Sequence, residues 1–186
     1  METLILDGIW GNHKRWEPLK HRISNSVGQC SIWRYDTSGK TRPSESAKVL
    51  SEWIAKREEP VALVGYSMGG IVSREAARIL GDKGISAAAL LHCPHHGTLW
   101  GDVVKSPATE ELRPGSDLLQ SLPQHTFPTM TTWCPFDLVV VPGSSAKLSC
   151  TKSFRIDIPA HNAPVWARSV HDKIIQFLKT TTQDSR

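Results

Sequence analysis

The chain has 186 residues, 39% of them hydrophobic and 22% charged, enough to bury a core as one compact domain over 1–186 and too apolar for a disordered or fibrous chain. Twenty-two basic against 18 acidic residues leave a formal net charge of +4, scattered without a long single-sign run, so no nucleic-acid partner is implied. No run approaches the ~20 apolar residues of a membrane span, and METLILDGIWGN lacks the basic-then-apolar order of a leader; the expectation is a cytoplasmic protein with no stable membrane anchor.

Strand-like and helix-like segments alternate along the whole chain. TLILDG (3–8) is a short apolar run ending in glycine, and a mixed segment (13–25) has room for a helix. CSIWRYD (30–36) is the next strand candidate, closed by the turn chemistry of TSGKTRP. SESAKVLSEWIAKREE puts Ala47, Leu50, Trp53 and Ile54 on one helical face, with Ser44 and Ser46 as N-cap candidates. PVALVGY is apolar throughout, as strands covered on both faces are. The helix after it carries Met68, Ile71, Val72, Ala76, Ile79 and Leu80 on one side and ends at the glycines of GDKG. ISAAALLHCP (85–94), PTMTTWCP (128–135) and SFRIDI (153–158) read as three further strands. A last helix is expected from about Ala163 to Lys179, with Trp166, Val170, Ile174, Phe177 and Leu178 inward. About six strands with helices between most of them predict an α/β fold, a mostly parallel sheet with helices on both faces. The segment 94–127, rich in Pro, Gly, His and Ser with a short helix expected at GSDLLQSL, is the one long irregular connection, and such connections are usually functional.

Gly65-Tyr66-Ser67-Met68-Gly69 is a G-x-S-x-G match between a strand and a helix. A serine presented on so sharp a turn needs neighbours too small to clash, and the helix that follows aims its unpaired NH groups at the same spot. The amide of Met68 is then half of an oxyanion hole. A serine hydroxyl is a poor nucleophile without a base to take its proton and an acid to orient that base. In this architecture the acid and then the histidine follow the serine, each on a loop after a strand. Asp137 is the only acidic residue between Asp117 and Asp157, and beyond it stand only His161 and His171. His161, in IDIPAHNAP just after the last strand, is favoured over His171, which falls inside the last helix. The second oxyanion amide is assigned to the loop LDGIWGNH, to Ile9 with Trp10 as the alternative.

VGYSMGG, CPHHGT (93–98), FDLVVVPGSSA (136–146) and AHNAPVWARSVHDKIIQFL (160–178) together resemble the alpha/beta-hydrolase superfamily, most of all its small lid-less lipases and esterases. The resemblance runs from the first strand to the last helix. It implies a minimal alpha/beta-hydrolase fold without a large cap domain, a catalytic triad of Ser67, Asp137 and His161, oxyanion amides at Ile9 and Met68, and no cofactor. Many relatives carry His-Gly where this chain has Asp7-Gly8, so the oxyanion loop must be pinned differently here.

His92, His95 and His96 invite a metal reading, but no carboxylate or cysteine is spaced to complete a ligand set, and support of the loop after the strand is the better account. Trp10, Trp100 and Trp133, near strand ends, are candidates to line an acyl pocket; Trp53 and Trp166 fall on helical core faces. Cys30, Cys93, Cys134 and Cys150 form no CxxC pair and read as buried thiols, with two disulfides left open. The expected function is hydrolysis of a small-molecule carboxylic ester through an acyl-enzyme on Ser67, at an open site suited to small or medium acyl groups without interfacial activation. A thioesterase or acyltransferase with the same triad, or a non-catalytic hydrolase-like binding protein, are the alternatives.

Overall fold

The computed structural model describes residues 1–149 and 152–183. Six strands, β1 (Glu2–Leu6), β2 (Cys30–Trp33), β3 (Val61–Tyr66), β4 (Ile85–Leu91), β5 (Thr129–Trp133) and β6 (Lys152–Arg155), form one sheet in the order β2-β1-β3-β4-β5-β6. Every neighbouring pair is parallel. The connections carry α1 (Glu17–Ser26), α2 (Pro43–Ile54) and α3 (Met68–Leu80), then the short α4 (Trp100–Val103), α5 (Pro107–Leu112) and α6 (Asp117–Ser121). After β6 come α7 (Ala163–Trp166) and α8 (Arg168–Gln183).

Successive strand residues point to opposite faces, and here both faces are covered. In β3, Ala62, Val64 and Tyr66 join Trp16, Leu19 and Ile23 from α1 and its approach, and Val170, Ile174, Phe177 and Leu178 from α8. Val61 and Leu63 face the other way, onto Leu50 and Ile54 of α2, Ile71, Val72 and Ala76 of α3, and Leu112, Leu118 and Leu119 of α5 and α6. This two-sided burial is why the strands read as unbroken apolar runs. From the segment 94–127, α5 and α6 thus join one layer, and the described residues build no large cap.

Several local expectations change. Five of the strands end two or three residues before the C-terminal limits expected, at Leu6, Trp33, Leu91, Trp133 and Arg155, because the residues beyond turn out of the sheet into the loops of its C-terminal edge. Helix α2 is capped at Arg42, whose amide donates to the Glu45 carboxylate at 3.1 Å, with Pro43 opening the helix. Ser44 instead bonds Glu111 by both amide and hydroxyl, and Ser46 is buried within the helix. The last helix is broken at Ala167, where ψ reaches 112°, and this break turns Trp166 outward rather than into the core. Ile79 is likewise on the exposed side of α3, and Ala77 is buried. Cys30, Cys93 and Cys134 are free and buried; burial pushes the Cys30 thiol up to about 12. Cys150 lies outside the described residues.

Candidate active site

The chain leaves β1 toward one edge of the sheet and returns to place β3 on its other side, with Leu6 opposite Gly65. The crevice beyond the carboxyl ends of two such strands is where parallel sheets bind ligands. Ser67 stands at this point, between β3 and α3, with φ 53° and ψ −123°. Its amide donates to Leu91 O at 2.9 Å, which anchors the turn to β4. The glycines around it are spatial necessities. A Cβ on Gly69 would come within 2.5 Å of the carbonyl oxygens of Leu6 and Asp7, and one on Gly65 within 2.5 Å of Gly70 Cα. Gly8, on the loop after β1, leaves only 2.8 Å between a built Cβ and Ser67 Cβ.

The loops after β5 and β6 bring two further groups to this serine. His161 Nε2 lies 3.0 Å from Ser67 Oγ, and His161 Nδ1 lies 2.8 Å from Asp137 Oδ2. Because the carboxylate accepts, Nδ1 carries the ring proton and Nε2 is left to accept from the hydroxyl. Asp137 Oδ1 takes the amides of Val139 and Val140 at 2.8 and 2.9 Å. Burial pushes the Asp137 carboxyl up, but the hydrogen bond and charge of His161 and these two amides outweigh it and hold the group below its usual range. His171 lies away from this cluster, with Nε2 on the carbonyls of Pro164 and Val165.

Of the two amides weighed for the loop after β1, Trp10 NH is committed to Thr37 O at 2.6 Å. Ile9 NH has no partner among the described residues, and Met68, as the first residue of α3, presents an amide that no helical carbonyl can reach. Beside Ser67 opens a cavity of about 310 Å³ walled by Ile9, Trp10, Trp100, Val104, Leu112 and Leu138, among others. Trp133 is not on its wall; its ring instead carries Lys147 Nζ at 3.7 Å.

No family model matches the chain, and no curated protein matches it in sequence. Solved structures do. The mature lipase BlEst2 of Bacillus licheniformis superposes with a TM-score of 0.79 at 14% identity, over 96% of this chain and 91% of its own. The monoacylglycerol lipase of Paleococcus ferrophilus gives 0.73 at 14% identity, covering 97% and 94%. YbtT, a type II thioesterase of the yersiniabactin NRPS/PKS pathway, gives 0.69 at 16% identity, covering 97% and 93%. The chain has the alpha/beta-hydrolase fold.

It is a minimal form of that fold, and Arg15, Tyr35 and Thr98, which sequence reasoning did not single out, support its site together with Asp7, Tyr66, His92 and Trp100, which it did. Asp7 is wholly buried, accepts from Gly8 NH at 2.7 Å and pairs with the Arg15 guanidinium, while the Tyr35 hydroxyl donates to its carbonyl. Arg15 also lies 5.2 Å from the centre of the Tyr66 ring. This set pins the loop bearing Ile9 in place of the His-Gly pattern. On the opposite side the His161 carbonyl accepts from His92 Nδ1 at 3.0 Å and from the Tyr66 hydroxyl at 3.3 Å. Burial, and then the His161 ring, push His92 down to about 4, so it stays neutral with its proton on Nδ1. The loops after β4 and β5 are stapled together: Thr98 Oγ1 donates to Val139 O at 2.6 Å and Trp100 Nε1 to Leu138 O at 2.6 Å.

Of the histidine run, His92 and His95 are buried and His96 is exposed. The ligand atoms of His92, Asp137 and His161 lie within 4.8 Å of one another, a juxtaposition that spacing along the chain did not reveal. Two of them already share a proton across 2.8 Å and His92 Nδ1 is turned to a carbonyl, so the hydrogen-bonded arrangement accounts for all three. The positive φ of His92, 47°, is what turns its ring toward the site.

Proposed function

We propose that the protein is a serine hydrolase that cleaves carboxylic esters through an acyl-enzyme on Ser67. The observation that carries this reading is the unbroken chain of hydrogen bonds from Asp137 through His161 to Ser67, at 2.8 and 3.0 Å. Ser67 Oγ attacks the ester carbonyl as His161 Nε2 takes the hydroxyl proton; Asp137 remains ionised and stabilises the imidazolium. The carbonyl oxygen, now negative, is held by the amides of Ile9 and Met68 at the N-terminus of α3. His161 returns the proton to the departing alcohol, and a water, deprotonated in its turn by His161, releases the acid. The apolar wall of the cavity suits an acyl chain, and the lipases that share the fold act on such substrates by name.

A fluorophosphonate probe tests the centre: one label per chain on Ser67 is expected, absent in Ser67→Ala, whose hydrolysis of p-nitrophenyl esters falls by about 10⁴-fold or more. Folded protein that takes no label would make this a non-catalytic binding protein. The same steps cut a thioester or pass the acyl group to an alcohol, and YbtT shares the fold. Acyl thioesters and acceptor alcohols assayed beside the ester panel rank these reactions by kcat/KM.

A further inference from the structure

Away from Ser67, two cavities of about 330 and 580 Å³ share Arg74, Gln124, Leu148 and Ser149 in their walls, and neither has a lining residue in common with the cavity of Ser67. Each has the size of a small-molecule site, about 300–1,000 Å³. One side is apolar: Leu119, Leu122 and Phe127 line it from α6 and the approach to β5, and pack on the core beside α3. The other side carries Arg74 of α3 and Lys147 of the loop after β5. Among the described residues no carboxylate lines either cavity. Asp82, which bonds two lining residues, is taken up by His125 Nδ1 at 2.7 Å and by the amide and hydroxyl of Thr126 at 2.8 and 3.0 Å. Both cations are held in place. Arg74 is 5% exposed and its Nη2 donates to the carbonyls of Leu122 and Pro123 at 3.3 and 2.9 Å; Lys147 Nζ lies 3.7 Å from the centre of the Trp133 ring. His95 adds a donor. A guanidinium can only donate, so His95 Nδ1 accepts from Arg74 Nη1 at 3.5 Å and the ring proton sits on Nε2. That Nε2 is buried with no partner among the described residues, where polar groups are as a rule satisfied.

We infer that these two cavities form one binding site for a small amphipathic carboxylate, its head beside Arg74, Lys147 and His95 and its apolar body along Leu119, Leu122 and Phe127. A positive charge set in a poorly solvated wall attracts an anion more strongly than one surrounded by water, and a wall without carboxylates does not repel it. The His95 Nε2 proton is a hydrogen bond that a carboxylate oxygen accepts. A singly charged head suits the site better than a dianion, because each charge taken from water adds its own desolvation cost. An inorganic ion alone would leave the apolar side and most of the volume unfilled. The site uses none of the residues of the Ser67 centre, so it stands apart from the hydrolase reading.

The full chain is titrated with octanoate, acetate, 1-octanol and octyl phosphate, and binding is followed by amide NMR of the isotope-labelled protein. Octanoate is expected to shift the amides of His96, Gln124 and Ser144, and to bind about tenfold or more tighter than acetate, which lacks the body, or octanol, which lacks the charge. Lys147→Glu, at an exposed position, puts a carboxylate on the wall and should weaken octanoate by about threefold or more. Arg74→Gln should weaken it further; Lys147→Glu decides the matter if that buried change prevents folding. Octanoate shifts confined to Ile9, Met68 and Trp100 would place it in the cavity of Ser67 and overturn the inference. So would equal affinities for octanoate and octanol, or an unchanged affinity in folded Lys147→Glu. Tighter binding of octyl phosphate than of octanoate would overturn the singly charged head. Fluorophosphonate labelling of Ser67 is read on the same samples, and its failure leaves these outcomes as they stand.

Discussion

Ser67 holds a backbone conformation that costs a non-glycine residue about 1–3 kcal/mol, and its neighbours keep it there: Leu91 accepts its amide, and Gly8, Gly65 and Gly69 leave space that any Cβ would fill. Asp137→Asn should lower kcat by about 10³–10⁴-fold with little change in fluorophosphonate-independent binding of substrate, because an amide at that place favours the wrong imidazole tautomer. Arg15 is predicted to matter through Asp7. Arg15→Ala leaves a buried carboxylate without its cation and should cost about 3 kcal/mol in urea denaturation. It should also lower kcat more than it raises KM, because the loop bearing Ile9 loses its anchor. Asp7→Asn, which keeps the shape and drops the charge, should recover part of both losses in the Arg15→Ala background. Had Arg15→Ala altered neither stability nor kcat, the pair would not be what pins the loop.

At the scale of elements, α3 is pressed against the sheet so closely that glycine is required at its start. A Cβ on Gly70 would overlap the Cys93 sulfur, and the Cys93 thiol, raised by burial, serves there as packing. Gly70→Ala should therefore cost about 2 kcal/mol despite the better helix propensity of alanine. In a Cys93→Ala background the same change should cost less than about 1 kcal/mol, since the overlapping atom is gone. Equal costs in the two backgrounds, read from urea midpoints, would show that the clash is relieved some other way. The connection between β4 and β5 illustrates a different use of short elements: α4 and α5 have four and six residues, too few to stand alone, and are held by Thr98 and Trp100 bonding across to the loop of Asp137. The cavity beside Ser67 and the loop of Asp137 are thereby parts of one structure.

For the whole molecule, buried neutral histidines set the response to acid. His92, His95 and His171 are all pushed down, first by burial. Each takes a proton more readily in the unfolded chain than in the folded one, so stability is complete above about pH 6.5 and is lost as pH falls toward their folded values. His92 alone, falling to about 4, accounts for about 3 kcal/mol across that window. Asp137, also depressed, extends the loss below the ordinary carboxylate range. Unfolding free energies measured from pH 7 to 4 should fall with pH, less steeply in His92→Asn, which tolerates the same left-handed backbone; a flat profile would mean these rings are hydrated.

Parallel α/β architecture, the turn that presents Ser67, and the candidates Asp137 and His161 were legible along the chain, because periodicity, glycine placement and the order of loops are local properties. What holds them was not. Arg15 beside Asp7, His92 and Tyr66 under the His161 carbonyl, and the bond that takes up the Trp10 amide depend on which atoms a folded sheet brings together. The inward reading of Trp166 failed for the same reason. Its helical spacing promised burial, but the break at Ala167 rotated it outward.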